Sequence, residues 1–346
     1  MLTSPQARLA GSLAAVAALV LAGAGATATS AASSTATGRV FFINPVQSSG
    51  NEGLTDQKDS DAAVPLSDYK TVTLTNLDGS GRLVGDYANV VSETGDPAIA
   101  TNGTFLYTRH DDRFEQVMAY YWVTEAQKYI QRLGFTGAPG ALRAVNKESQ
   151  DVRLNQYGAD NSFSWDKKDL LRFGKGGVDD AEDGEVIVHE YGHAVHDAQV
   201  PGFGSSEEAG SIGEAWGDYL AVSVGLAVAG APAKGVPAAC VMDWDATSYT
   251  STVPHCLRRV DTNLTVANKT GEVHHDGMIW SRALWDIRSG LGDYKANRVI
   301  IDAQFDFAPD TSFAAAANAT IAKAQTMYGS SAASTVRAAF HARGII

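Results

Sequence analysis

The sequence predicts an α+β chain in two lobes: a β-rich first lobe that ends in one central helix, and a mainly α-helical second lobe. Three observations carry this. Between residues 39 and about 108 the apolar segments are short, β-branched or aromatic, and broken by Gly, Asn and Asp. From Asp111 the apolar period changes to that of a helix. Beyond Pro201 the segments read mostly as helices. Strands first and helices second argue for segregated lobes. The 346 residues allow one large domain or two closely packed ones. The expected boundaries are 1–32, 33–200 and 201–346.

Residues 1–32 read as a targeting segment rather than as fold. MLTSPQAR supplies one positive charge at Arg8, and AGSLAAVAALVLAGAGA then runs without a charge. Small residues follow, with an A-x-A cleavage option at Ala26-Thr27-Ala28. That is a secretory signal pattern. The alternative is a membrane anchor, for which the apolar run is barely long enough. The mature chain is therefore expected to be extracellular and free of the membrane once the signal is cleaved. No long pro-segment is expected, since residues 39–108 read as the start of the folded protein itself.

The elements follow in order. GRVFFINPV, YKTVTLTNL and GTFLYT are strand-like, with turns at LDGSG and TNG. DDRFEQVMAYYWVTEAQKYIQRLGF places Phe114, Val117, Met118, Tyr121, Trp122, Ala126, Tyr129, Ile130 and Leu133 at helical spacing, with Gly134 as the stop. This aromatic stripe reads as core. Strands return at ALRAVN and DVRLNQYGADNSFSW, and the acidic loop GGVDDAEDGE leads into a helix that begins VIVHEYGHAVHD. IGEAWGDYLAVSVGLAVAG, DGMIWSRALWDIR and two Ala-rich segments complete the chain as helices.

Charge and cysteines narrow the function. A net charge of −12 with no Lys/Arg run argues against nucleic acid or an anionic membrane surface as the main partner. Cys240 and Cys256 are an isolated pair, and in an oxidising compartment they are expected to be bridged. Two buried thiols are the alternative.

The chemistry concentrates at VIVHEYGHAVHD. His189 and His193 are four apart, so a helix projects both from one face, where they can share one zinc ion. Glu190 is poorly placed to bind that ion and well placed to reach an attacking water. Histidines satisfied within a core are the alternative reading. His196 is seven residues from His189, about 10.5 Å along a helix axis, so it cannot join the same ion and reads as a surface or supporting residue. A catalytic zinc needs a third protein ligand. The candidate is Glu214 in SIGEAWGDYL; a capping box from Ser211 to Glu214 is the alternative. Asp218, one turn on, can take the second ring N–H of a ligand histidine.

HEYGHAVHD followed by GEAWGDY resembles the gluzincin metallopeptidases, most closely the fungalysin type (H-E-Y-G-H with G-E-x-W-x-D) and more distantly thermolysin. The resemblance covers about residues 105–290. It implies a two-lobed metallopeptidase fold, zinc on His189, His193 and Glu214, Glu190 as general base, and Asp218 orienting His189. It further implies His274, in GEVH, as a hydrogen-bond donor to the tetrahedral intermediate, with Arg258, in CLRR, behind the same site. Asn161 and Ser162, in NSFSW, correspond to an edge strand that binds the substrate backbone. Two features depart from the pattern. The position of an assisting tyrosine falls on Gly204, and of the paired calcium positions Glu185 fills one while Gly225 stands at another. Calcium is a candidate second cation through Asp179, Asp180, Glu182 and Asp183, which read equally as a solvated loop.

The expected function is a secreted, monomeric, zinc-dependent endopeptidase acting on polypeptides. A catalytically inactive zinc-stabilised binding protein of the same fold is the rival, and an aminopeptidase a more distant one. In the loop EVHHDG, Asp276 is expected to cap the following helix and His275 to staple onto Trp280, which leaves His274 to face the cleft.

Overall fold

A computed structural model of the chain describes residues 34–92, 95–154 and 158–346. The signal-like segment 1–32 lies outside them. The first strands are β1 (Ala36–Phe41), β2 (Tyr69–Leu74), β3 (Ala88–Ser92) and β4 (Thr104–Phe105), with a one-turn helix α1 (Pro45–Ser49) after β1. β1 pairs antiparallel with β2 and parallel with β4. A second sheet joins β3 to β5 (Gln150–Leu154), β7 (Leu170–Arg172) and β6 (Phe163–Trp165), in the order β3-β5-β7-β6. In β5 the period of two is plain: Gln150, Val152 and Leu154 are buried while Asp151 and Arg153 are partly exposed. β6 lies at an edge, antiparallel to β7.

Helix α2 (Arg113–Arg132) runs through this β-rich part. The whole expected stripe from Phe114 to Leu133 is buried. So are Glu115, Gln116, Tyr120, Thr124 and Gln127, because α2 packs on strands and on another helix and keeps little free face. The segment ALRAVN forms no strand. Asn146 takes a left-handed φ of 39°, and the Gln127 side-chain amide donates to the carbonyls of Val145 and Asn146 at 2.9 and 3.0 Å. Those carbonyls are satisfied without a ladder.

The rest is mainly helical: α3 (Gly184–Gln199), α4 (Glu207–Val228), α5 (Val273–Leu291), α6 (Asp293–Gln304), α7 (Phe313–Tyr328) and α8 (Ser330–Ala342). α6 had no counterpart among the expected segments. Between α4 and α5 a small hairpin pairs β8 (Cys240–Val241) with β9 (Arg258–Arg259). Cys240 and Cys256 form a disulfide across its base, with Cα atoms 5.2 Å apart. The described residues form one unit, and no helix among them is long and apolar enough to cross a membrane.

Candidate metal centre

Helix α3 begins where Asp183 accepts the Glu185 N–H at 2.9 Å. α4 begins at Ser206, whose hydroxyl accepts the Ala209 N–H at 3.2 Å, with Glu207 and Glu208 favourably placed in the first turn. The alternative of a capping box from Ser211 to Glu214 does not form. Both residues lie inside the helix, and the Ser211 hydroxyl donates to the Glu207 carbonyl at 2.9 Å. Glu214 has no capping task.

The two helices meet at glycines. A β-carbon on Gly192 would lie 3.1 Å from the Cα of Gly217, so neither position has room for a larger residue without separating the helices. Trp216 fastens the crossing by donating its indole N–H to the Gly192 carbonyl at 3.0 Å. This contact delivers Glu214 to the histidine face of α3. His189 Nε2 lies 3.1 Å from His193 Nε2 and 3.2 Å from Glu214 Oε2, and His193 Nε2 lies 3.6 Å from Glu214 Oε1. Ligand atoms 2.0–2.1 Å from one tetrahedral ion stand about 3.3–3.4 Å apart. The observed triangle has that size.

The chemistry of the donor set agrees. Asp218 Oδ1 lies 2.9 Å from His189 Nδ1 and fixes the proton there. The Nε2 of a neutral His189 then points a lone pair at a carboxylate and a second imidazole. Converging acceptors of this kind suit a cation. Arg258 closes the chain of contacts: Nε and Nη2 donate to Asp218 Oδ2 and Oδ1, each at 2.7 Å. Burial pushes the Asp218 carboxyl up, but Arg258 and His189 outweigh it and hold it at about 2. Arg258, which the resemblance places behind the same site as His274, is bidentate on Asp218 and does not line the cleft.

A cleft of about 290 Å³ opens over these side chains. Glu190 lines it and is nearly buried. Burial lifts its carboxyl to about 7, and the Glu214 charge adds to the rise. The Ser164 backbone N–H, on edge strand β6, bonds the Glu190 carboxylate. Ser162 also lines the cleft, and its hydroxyl donates to Asp180. Asn161 precedes it and does not line the cleft.

His274 reaches the same place from the first turn of α5. Its Nε2 is 3.3 Å from Glu214 Oε2, and its Nδ1 is 2.7 Å from Glu272 Oε1. The cap of α5 is Glu272, not Asp276, since Glu272 accepts the N–H groups of His274 and His275. Asp276 lies within the first turn and accepts the backbone N–H groups of Thr270 and Gly271 at 2.8 and 3.0 Å. Trp280 packs on Phe313 and Phe340 rather than on His275. His275 is nonetheless held locally, with Nδ1 3.0 Å from Asp276 and 3.3 Å from the Thr270 hydroxyl.

Two further expectations change. His196 is not a surface residue: it is 1% exposed, lines the cleft floor and stacks on Phe203 with ring centres 3.7 Å apart. The acidic loop is not solvated. Asp179, Asp180, Glu182 and Asp183 are all buried, because the loop is drawn under α2 and against Trp244. Sequence reasoning missed Gly217. It is three residues from Glu214, on the same face of α4, and that period was the available signal.

Residues 240–345 match the thermolysin metallopeptidase alpha-helical domain. Over that segment the chain is similar to the thermolysin family. The resemblance drawn from the motifs is met on its thermolysin side, and the strands-then-helices expectation agrees with it. The chain is 26% identical over 259 residues to a gelatinase of Enterococcus faecalis, an alignment covering 71% of the chain. The chain spans about half the length of that curated relative, 46%. Among solved structures, the precursor of protealysin, a metalloproteinase from Serratia proteamaculans, has the same fold with a TM-score of 0.55 and 19% identity. That similarity covers 76% of this chain and 89% of the protealysin chain. The matched domain begins at Cys240, beyond α4, so the placing of His189, His193 and Glu214 rests on their geometry.

Proposed function

We propose that the chain is a secreted zinc-dependent endopeptidase that hydrolyses internal bonds of polypeptides. One observation carries the reading: His189, His193 and Glu214 bring their ligand atoms together on a scale that fits one tetrahedral zinc, with Glu190 beside them in the cleft. When bound, zinc supplies Lewis acidity toward the scissile carbonyl and makes water a nucleophile near neutral pH.

The chain's own residues do the rest. Glu190 takes a proton from the attacking water and returns it to the leaving amine. His274, aimed at the same point, donates to the developing oxyanion through Nε2. Asp218 orients His189, and Arg258 acts by holding Asp218, a positioning role in place of direct contact with the intermediate. Edge strand β6 accepts an extended substrate by strand addition, with Asn161 and Ser162 at its entrance. The cleft then lies between a β-rich part, 33–200, and a helical part, 201–346. Secretion rests on the signal pattern of residues 1–32.

The test is casein digestion by the secreted protein with and without 1,10-phenanthroline, beside Glu190→Gln. Digestion abolished by the chelator and by the variant is the expected result. Zinc bound in stoichiometric amount with no hydrolysis of any polypeptide would favour a zinc-stabilised binding protein. Release of terminal residues only would favour an aminopeptidase.

A further inference from the structure

The buried acidic loop before α3 is not satisfied evenly. Glu182 receives Arg109 through Nε at 3.0 Å and Nη2 at 2.8 Å, and the Trp244 indole N–H at 3.1 Å. Asp183 accepts the backbone N–H groups of Glu185 and Trp244 and the Asn44 amide. Asp180 accepts the Ser162 hydroxyl. Asp179 is 3% exposed, and its Oδ1 has no hydrogen-bond partner.

Across from it, the first turn of α2 presents Glu115. This side chain is fully buried, and neither carboxylate oxygen has a hydrogen-bond partner. Asp112 completes the group, with one carboxylate oxygen from each of the three within 4.8 Å of the others. Lys175 Nζ sits 3.0 Å from both oxygens of Asp112. It brings one positive charge to three carboxylates. Arg109 is already engaged with Glu182 and Asp56.

We propose that Asp112, Glu115 and Asp179 bind a hard divalent cation of the calcium type, which ties the start of α2 to the loop leading into α3. An unpaired buried carboxylate is costly, and two charges of one sign side by side cost more. Such a group either shares a proton or holds a cation. Oxygens bound to calcium at 2.3–2.6 Å lie at most about 4.6–5.2 Å apart, so all three residues can touch one ion. Three carboxylates also offer up to six oxygens, the donor type that hard cations select over zinc. The set shares no residue with Glu185, where the family resemblance places calcium. It also leaves the zinc ligands untouched, so the proposal is independent of peptidase activity.

The test uses the zinc-loaded chain in buffer freed of other divalent ions, with zinc content checked. CaCl2 is titrated while thermal unfolding is followed, and Tb3+ luminescence with CaCl2 competition reports binding directly. Calcium is expected to raise the unfolding temperature and displace Tb3+. Glu115→Gln and Asp179→Asn should each weaken calcium by at least about tenfold, since even outer contacts of a metal site are worth about 10–100-fold. Without calcium, Glu115→Gln should unfold no lower than wild type, because it removes one of three clustered charges. If one variant fails to fold, the other and the direct titration still decide. A wild-type chain indifferent to CaCl2 would overturn the proposal in favour of a shared proton. Undiminished calcium binding in the variants would overturn it by placing the ion elsewhere.

Discussion

Gly217 lies against the imidazole of His189 so closely that a β-carbon there would meet Nδ1 at 2.6 Å. One helix thus makes room for a side chain of another. Gly217→Ala would press on the ring and disturb the hydrogen bond from Nδ1 to Asp218. We expect the variant to fold, to keep its helical circular dichroism, and to bind zinc about 10–100-fold more weakly. Metal analysis after graded dialysis measures this. Normal zinc affinity would mean that α4 can shift without consequence for His189.

Glu190 and Glu214 should separate cleanly. Glu190→Gln keeps shape and removes charge, so folding and zinc content are expected to survive while hydrolysis is lost. Glu214→Ala should lose zinc and activity together. Since Glu214 stands inside α4 and caps nothing, its loss should not carry the cost of about 1 kcal/mol typical of a lost cap. Zinc content and unfolding temperature of the two variants distinguish the roles.

Asp218 and Arg258 are expected to act as one unit. Asp218→Asn should weaken zinc binding by about 10–100-fold, because the amide no longer holds His189 as a carboxylate does. Arg258→Ala leaves a buried carboxylate without its bidentate partner and should be destabilising by about 3–5 kcal/mol. If Arg258 instead met the tetrahedral intermediate directly, Arg258→Ala would lower kcat at unchanged stability and zinc affinity. Chemical denaturation with kinetics on the same samples decides.

His274 and His275 are neighbours with different surroundings. His274→Ala should keep zinc and lose about 10²–10³ in kcat, the usual cost of an oxyanion donor. The His275 ring is held by Thr270 and Asp276, away from Glu214, so His275→Ala should show a modest stability loss and nearly normal turnover. The reverse result would move the oxyanion role to His275.

Much of this protein was determined by local pattern. The four-residue spacing of His189 and His193 fixes a shared face wherever a helix forms, because the period is a property of the backbone. The apolar stripe of α2, the strands before it and the pairing of Cys240 with Cys256 are legible for similar reasons: they depend on composition and short spacings. The third ligand was legible as a candidate, but a lone Glu214 could equally have begun a helix. Only the tertiary structure removes the helix start, since α4 begins at Ser206 and the Gly192–Gly217 contact brings Glu214 to the histidines. The engagement of Arg258 with Asp218 depends on a hairpin distant from α4 in sequence. The acidic loop is the sharpest case. Its charge reads as solvated, and it is buried because α2, Arg109, Trp244 and Asn44 close over it from remote parts of the chain. Burial is a sum over distant neighbours, and no window of sequence contains them.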